Sequence, residues 1–364
     1  MQTVYFVTNR DPLDKNERQI PRDRLQDGDP QVHWFGDDPS PAGFDDLRFG
    51  RIEVDQSGVR RESIKVFPDR LGAKRAHQDV IRTTPSYPMH GGSLAFFEEL
   101  RQHMCGERGR DTLVFVHGFA NDFEGALRTS GRLAESYGTN IVLFSWPADR
   151  AALGVPIPFF HYKSDRSDAT SSGPAFGRAL LKLRDFISAL YQDRKTDVCR
   201  ARLHLACHSM GNYVLREGLR YINLKYPREL TRIFDQAFLF AADEDHDTFE
   251  HPHKLGRLGE AAEGVTVYIH LGDDALGISQ STKNDMLRLG KVGPRNARSI
   301  PENVAVVDVT SAVGDGVFKT AHSYMFEERV VRDVGGVLGR VHPSPSEIEG
   351  RRYQPDTKRF ILQA

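Results

Sequence analysis

The stretch Leu203-His-Leu-Ala-Cys-His-Ser209-Met-Gly-Asn212 decides the fold. It opens as an apolar run of strand type, meets Ser209 and Gly211, and continues into a helical pattern with Leu215, Leu219 and Ile222 on one face. A strand that passes through Ser-x-Gly directly into a helix makes a sharp elbow, which exposes the serine hydroxyl at the end of a sheet. Cys207 stands where such an elbow usually has its first glycine, and a small thiol is tolerated there. The plainer alternative is a serine that caps a helix. The strand before it and His208 beside it favour a nucleophile.

Outward from this elbow the pattern is regular. Apolar runs at Thr112–His117, Asn140–Ser145, Ala201–Cys207, Gln236–Ala242, Val265–His270 and Val304–Val309 read as strands buried on both faces. Helical patterns at Ser93–Cys105, Asp122–Tyr137, Pro174–Gln192, Gly211–Tyr226 and Lys319–Val331 accompany them. Buried strands alternating with amphipathic helices predict an α/β fold, a mostly parallel sheet with helices on both faces. Residues 1–92 differ: strand-like runs at Thr3–Thr8, Arg48–Val54 and Ser63–Phe67 are separated by turn-rich segments such as Gly36–Gly43. We expect an N-terminal extension over 1–92, a core over 93–335 and a tail over 336–364. Within the core, Trp146–Ser172 reads as a long Pro/Ser/Asp-rich insertion, and long loops inside compact domains are usually functional.

A serine hydroxyl needs a base and a group that orients the base. In a strand-elbow-helix sheet the chain order is serine, acid, histidine. His322 follows the last apolar run and is the candidate base. Asp273 and Asp274 follow the Val265–His270 run, and Asp243 and Asp245 follow the run before it. Asp273 is the preferred acid because the later strand is the commoner donor, with Asp243 the alternative. Oxyanion donors would be the backbone N–H groups of Met210, directly after the serine, and of Phe119 in His117-Gly118-Phe119. His117, Gly118, His208, Trp146, Phe159, Phe160 and Tyr162 are expected to line the substrate pocket; core packing is the simpler role for the aromatics.

These residues carry a resemblance. His117-Gly-Phe with Phe123-Glu-Gly-Ala126, and His208-Ser-Met-Gly-Asn212, are similar to the alpha/beta-hydrolase fold. More narrowly, the chain resembles bacterial esterase/lipase superfamily proteins grouped as a domain of unknown function. Val7-Thr-Asn-Arg10, Tyr162-Lys-Ser-Asp165, Ala242–Phe249, Asp273-Asp-Ala-Leu276 and His322-Ser-Tyr324 fit the same family. The resemblance implies serine-hydrolase chemistry and favours Asp273 over Asp274 through its Asp-x-Ala-Leu spacing. It departs at Ala120, where the family often has asparagine; here Asn121 follows instead.

Other features weigh less. Asp243, Asp245, His246, Asp247, Glu250, His251 and His253 match no zinc spacing, and no nucleotide-binding glycine loop occurs, so neither metal nor cofactor is expected. His90-Gly-Gly92 reads as a turn. With 364 residues and a net charge of −1, the chain lacks the basic excess of a nucleic-acid binder. No apolar run is long enough to span a membrane. Three cysteines imply no disulfide framework, so reduced thiols and a cytoplasmic location are expected. The expected activity is hydrolysis of a small acyl ester. Thioesterase, amidase or acyltransferase chemistry on the same triad is the alternative, with a non-catalytic binding module behind it. The sequence is silent on oligomeric state.

Overall fold

A computed structural model describes residues 1–25, 32–44, 46–68, 91–106, 109–148, 158–192, 199–282, 286–298, 300–314, 321–340 and 343–363. The chain forms two compact units, Met1–Leu203 and His204–Ala364.

In the first unit, β1 (Gln2–Thr8), β2 (Arg10–Leu13), β3 (Trp34–Pro39), β4 (Arg48–Asp55) and β5 (Gly58–Pro68) precede helix α1 (Gly91–Cys105). Strand β6 (Thr112–Val116), helix α2 (Phe123–Tyr137), strand β7 (Asn140–Ser145) and helix α3 (Pro158–Gln192) follow. The strand order is β6-β7-β1-β4-β5, with β6, β7 and β1 parallel and β4 and β5 antiparallel to their neighbours. All five residues of β6 are buried, which is why it reads as an unbroken apolar run. The N-terminal strands therefore extend the same sheet. Register sets Thr8 beside Ser145 and Val116 beside Phe144, so the carboxyl ends of β1, β7 and β6 lie together.

The second unit takes up β8 (Leu203–His208), helix α4 (Gly211–Lys225), β9 (Phe234–Phe240), β10 (Ala262–Ile269), β11 (Val304–Asp308), β12 (Arg351–Gln354) and β13 (Arg359–Leu362). From β8 through β9, β10 and β11 to β13 the strands run parallel, and β12 closes the edge antiparallel. The expected parallel α/β sheet with flanking helices is the observed architecture. Among the described residues no helix is long and apolar enough to cross a membrane.

Several expectations are corrected. Gly36–Gly43 is not all loop, because Trp34–Pro39 pairs with β2 in a two-stranded sheet. Of the insertion expected over 146–172, residues 146–148 have no regular structure and 149–157 lie outside the described residues, but from Pro158 on it is not a loop: Pro158–Gln192 is one helix that carries Pro174 inside it. Proline, glycine and serine read as breakers, yet one helix spans them. His90 lies outside the described residues, and Gly91 and Gly92 open α1 instead of forming a turn. Of the helix expected over 319–331, residues 319–320 lie outside the described residues and Ala321 and His322 are helical, but the helix breaks at Ser323; a 3-10 turn at Tyr324–Phe326 and a separate helix Glu328–Leu338 follow. Farther on, Arg351–Gln354 and Arg359–Leu362 form the β12–β13 hairpin. Cys105 and Cys199 form a disulfide across 94 residues, with Cα atoms 4.9 Å apart. Reduced thiols therefore hold for Cys207 alone, and the thiol argument for a cytoplasmic location falls with the other two. The pairing was invisible because only the fold brings the end of α1 to the segment ahead of β8.

Candidate active site

Ser209 follows β8 with φ +51°, in the left-handed region that a residue with a side chain rarely adopts. Such a backbone costs about 1–3 kcal/mol and persists only where its surroundings hold it. Here they do. Ser209 N–H donates to the Phe240 carbonyl at 3.0 Å. The Ser209 carbonyl accepts the N–H groups of Asn212 (3.1 Å) and Asp243 (3.2 Å) and the side-chain amide of Asn212 (3.0 Å). Asn212, fully buried, also donates to the carbonyls of Cys207 and Phe240, both at 3.3 Å, and so ties β8 to β9 beneath the serine. Composition alone gave no sign of this role for Asn212. Burial pushes the Cys207 thiol well up, which keeps it inert.

His322 Nδ1–H donates to Asp273 Oδ2 at 2.8 Å. Asp273 is fully buried, and its Oδ1 accepts the Leu276 N–H at 3.1 Å, at the start of the helix Asp274–Thr282. Asp243 is engaged elsewhere: its Oδ1 accepts Ser279 Oγ–H at 2.6 Å and lies 3.6 Å from the buried Arg288 guanidinium. Two residues beyond His322, the buried Tyr324 hydroxyl accepts the Ala241 N–H at 2.6 Å and donates to the Tyr268 carbonyl at 2.9 Å. It thus pins the histidine-bearing segment to the ends of β9 and β10, another contact that spacing could not reveal.

His208 meets the base directly. Its Nε2–H donates to the His322 carbonyl at 3.0 Å, and the two rings pack edge to face at 4.9 Å. Burial first, and the neighbouring His322 second, draw the His208 imidazole down from 6.5 to about 4. The unfolded chain therefore takes up this proton before the folded one. Stability is complete above pH 6.5 and falls as the pH drops toward 4. The His208 contribution is on the order of 3 kcal/mol at pH 4. Asp11, raised to about 6 by burial and by Asp38, acts in the opposite sense, so the comparison must be with a variant. In urea titrations, the stability advantage of the natural protein over His208→Asn is expected to shrink by that amount between pH 7 and pH 4. An advantage constant with pH would contradict the assignment.

In the first unit, His117 and Trp146 are buried and stacked, with ring centroids 5.2 Å apart and planes 5° from parallel. His117 Nδ1–H donates to the Gly118 carbonyl at 2.9 Å, so Nε2 is the acceptor for the Trp146 N–H at 3.2 Å. Trp146 Nε1–H donates to the His117 carbonyl at 2.9 Å. Ala120 holds φ +56°, a conformation in which asparagine is the easier residue. Its N–H donates to the buried Asp165 carboxylate at 3.3 Å, and Asn121 Nδ2 donates to the Phe119 carbonyl at 3.2 Å. Phe159, Phe160 and Tyr162 fall within α3, but their side chains lie outside the described residues.

The acidic stretch after β9 is an ion-pair network. Asp245 pairs with Arg288 at 2.8 Å and with Lys254 at 3.1 Å, Asp247 pairs with Lys254 at 2.5 Å, and Glu250 pairs with Arg295. Among the described residues no group of three or more His, Cys, Asp or Glu is placed to hold a metal ion.

The structure is similar to lipase B of Aspergillus fumigatus at 12% identity and a TM-score of 0.38, over 67% of this chain and 56% of that one. It is also similar to carboxyl esterase 2 of the mycorrhizal fungus Tuber melanosporum, at 11% identity and 0.34, over 63% and 79%. An esterase of Pyrobaculum calidifontis gives 12% and 0.31, over 63% and 75%. The chain thus spans little more than half the length of the fungal lipase. No curated protein matches it. The family model described as "Alpha/beta hydrolase of unknown function (DUF900)" matches residues 93–337, two thirds of the chain, and the protein belongs to that family of hydrolases.

Proposed function

We propose that the protein is a serine hydrolase that cleaves carboxylic esters through an acyl-enzyme. What supports this reading above all is the 2.8 Å bond between His322 Nδ1 and Asp273 Oδ2 in the unit where Ser209 occupies a strained elbow. With Nδ1–H held by the carboxylate, His322 Nε2 carries the lone pair and is the base nitrogen. Ser209 Oγ attacks the ester carbonyl as its proton passes to His322, and Asp273 stabilises the imidazolium that results. As a donor to the oxyanion we assign the N–H group of Met210, a kind of donor worth about 2.7–4 kcal/mol in related chemistry. The alcohol leaves with the proton from His322, and water, activated by the same nitrogen, releases the acid. The neutral His208 adds no second positive charge beside the imidazolium.

The test is covalent. A fluorophosphonate probe is expected to add one phosphonyl group to the natural protein, located at Ser209 by peptide mass spectrometry. Ser209→Ala should take none and should lose hydrolysis of short nitrophenyl esters while keeping its circular dichroism. Full ester hydrolysis by Ser209→Ala would overturn the reading.

A further inference from the structure

At the amino ends of β9, β10 and β11 the second unit holds a cleft of about 210 Å³. Its floor is the sheet face shared by Gln236 on β9, Gly264 and Thr266 on β10 and Ala305 on β11, which the register sets side by side. Val337 of the helix Glu328–Leu338 and Ile348, both buried, line it as well. Ser209 follows the carboxyl end of β8, which runs parallel to β9, so the cleft lies at the other end of these strands from the proposed nucleophile.

Two side chains of the cleft are unspent. Gln236 is 5% exposed and Thr266 4%. Neither the Gln236 amide nor the Thr266 hydroxyl makes a hydrogen bond among the described residues. Buried polar groups ordinarily find a partner, and one kept without it is costly. Gly264 makes room for the amide: a Cβ there would stand 2.5 Å from Gln236 Oε1 and 2.9 Å from Nε2. The amide therefore lies over the glycine, on the floor of the cleft.

The mouth is acidic. Glu302 is exposed and forms no ion pair among the described residues, and Glu263, partly buried, lies 3.8 Å from the mostly exposed Arg232. Arg351, the one cation among the described lining residues, is committed to Asp333 by two bonds of 2.7 Å. A ligand suited to this gradient carries a neutral hydroxyl at the buried end, where a charge would lose its water, and an ammonium at the mouth. Alkyl carbons between the two match Val337 and Ile348. We propose that the cleft binds a small aliphatic amino alcohol, with its hydroxyl between Gln236 and Thr266 and its ammonium beside Glu302 and Glu263.

Isothermal titration calorimetry with 5-amino-1-pentanol is the test, with pentylamine and 1,5-pentanediol as partial probes. The natural protein is expected to bind the amino alcohol at least about fivefold more tightly than either partial probe. Gln236→Leu, similar in volume, should weaken the amino alcohol by about fivefold and leave pentylamine within about twofold. Its melting temperature should equal or exceed that of the natural protein, because an unpaired amide gives way to an apolar group; a merely structural glutamine would lower it. Glu302→Gln, on the surface, should weaken both amines about threefold and leave the diol unchanged. Thr266→Val takes the place of Gln236→Leu if that variant does not fold. No binding of the amino alcohol up to about 20 mM would overturn the inference. So would equal affinity in the natural protein and Gln236→Leu, or a diol that binds as tightly as the amino alcohol. Calorimetry reads binding alone, so the result stands whether or not Ser209 is a nucleophile.

Discussion

Asp273→Asn is expected to lower kcat for ester hydrolysis by about four orders of magnitude while the protein stays folded. Asp273 has two separable tasks. Its Oδ2 receives the His322 Nδ1–H, and its Oδ1 receives the Leu276 N–H at a helix start. Asparagine keeps an oxygen for the helix, and it is a good cap. It then turns an NH2 group toward His322, which must answer with an unprotonated Nδ1. The proton moves to Nε2, and the base nitrogen is gone. Alanine would remove both tasks at once and could not separate them. Asp243→Asn is the control, because that carboxylate serves Ser279 and Arg288. It should change kcat less than tenfold and cost about 1–3 kcal/mol of stability, since a buried arginine loses part of its counter-charge. Steady-state kinetics on both variants, with circular dichroism as the check on folding, gives the answer. A large loss in Asp243→Asn with little in Asp273→Asn would exchange the two roles.

What the sequence shows of this architecture depends on how local the signal is. Thr112–Val116 and Asn140–Ser145 are legible because strands buried on both faces must be apolar throughout. The elbow is legible because strand, Ser-x-Gly and amphipathic helix are contiguous. Asp122 caps α2 by accepting the Gly125 N–H at 2.7 Å, again a signal within three residues. Long-range polar contacts leave no such trace. Arg10 and Asn121 are 111 residues apart, and nothing in either neighbourhood marks them as partners. Tyr324 stands in the His322-Ser-Tyr324 segment that carries the resemblance, but nothing local marks its hydroxyl as the link between Ala241 and Tyr268. The disulfide and the β12–β13 hairpin are hidden for the same reason, since their value depends on neighbours supplied by the fold. The helix over Pro158–Gln192 is a different failure: local breaker signals are present and one continuous helix forms across them.

Gly290→Ala is expected to unfold the second unit or cost it more than about 3 kcal/mol, the high end for overpacking. The position shows why a glycine can matter as much as a catalytic group. Gly290 N–H donates to the Ala242 carbonyl and its own carbonyl accepts the His270 N–H, both at 2.9 Å. It therefore bridges the ends of β9 and β10, from which Asp243 and Asp273 depart. A Cβ there would stand 2.2 Å from Ala242 N and 2.4 Å from the Ala241 carbonyl carbon. Both are backbone atoms, so no side chain can swing aside, and Ala241 already holds φ +45°. The clash can be relieved by moving Gly290 off the Ala241–Ala242 backbone, which breaks its N–H bond to the Ala242 carbonyl, or by shifting that backbone, which pulls the Ala241 N–H from Tyr324 and disturbs the segment that bears His322. Activity and stability should thus fall together, unlike in Asp273→Asn. Gly335→Ala is the matched control: it lies within the helix Glu328–Leu338 with no atom within 4 Å of its added Cβ. There alanine should stabilise by about 0.5–1 kcal/mol through helix propensity. Thermal melting of both variants measures the contrast, and a Gly290→Ala protein that melts like the natural one would show that Gly290 and the Ala241–Ala242 backbone can part without cost.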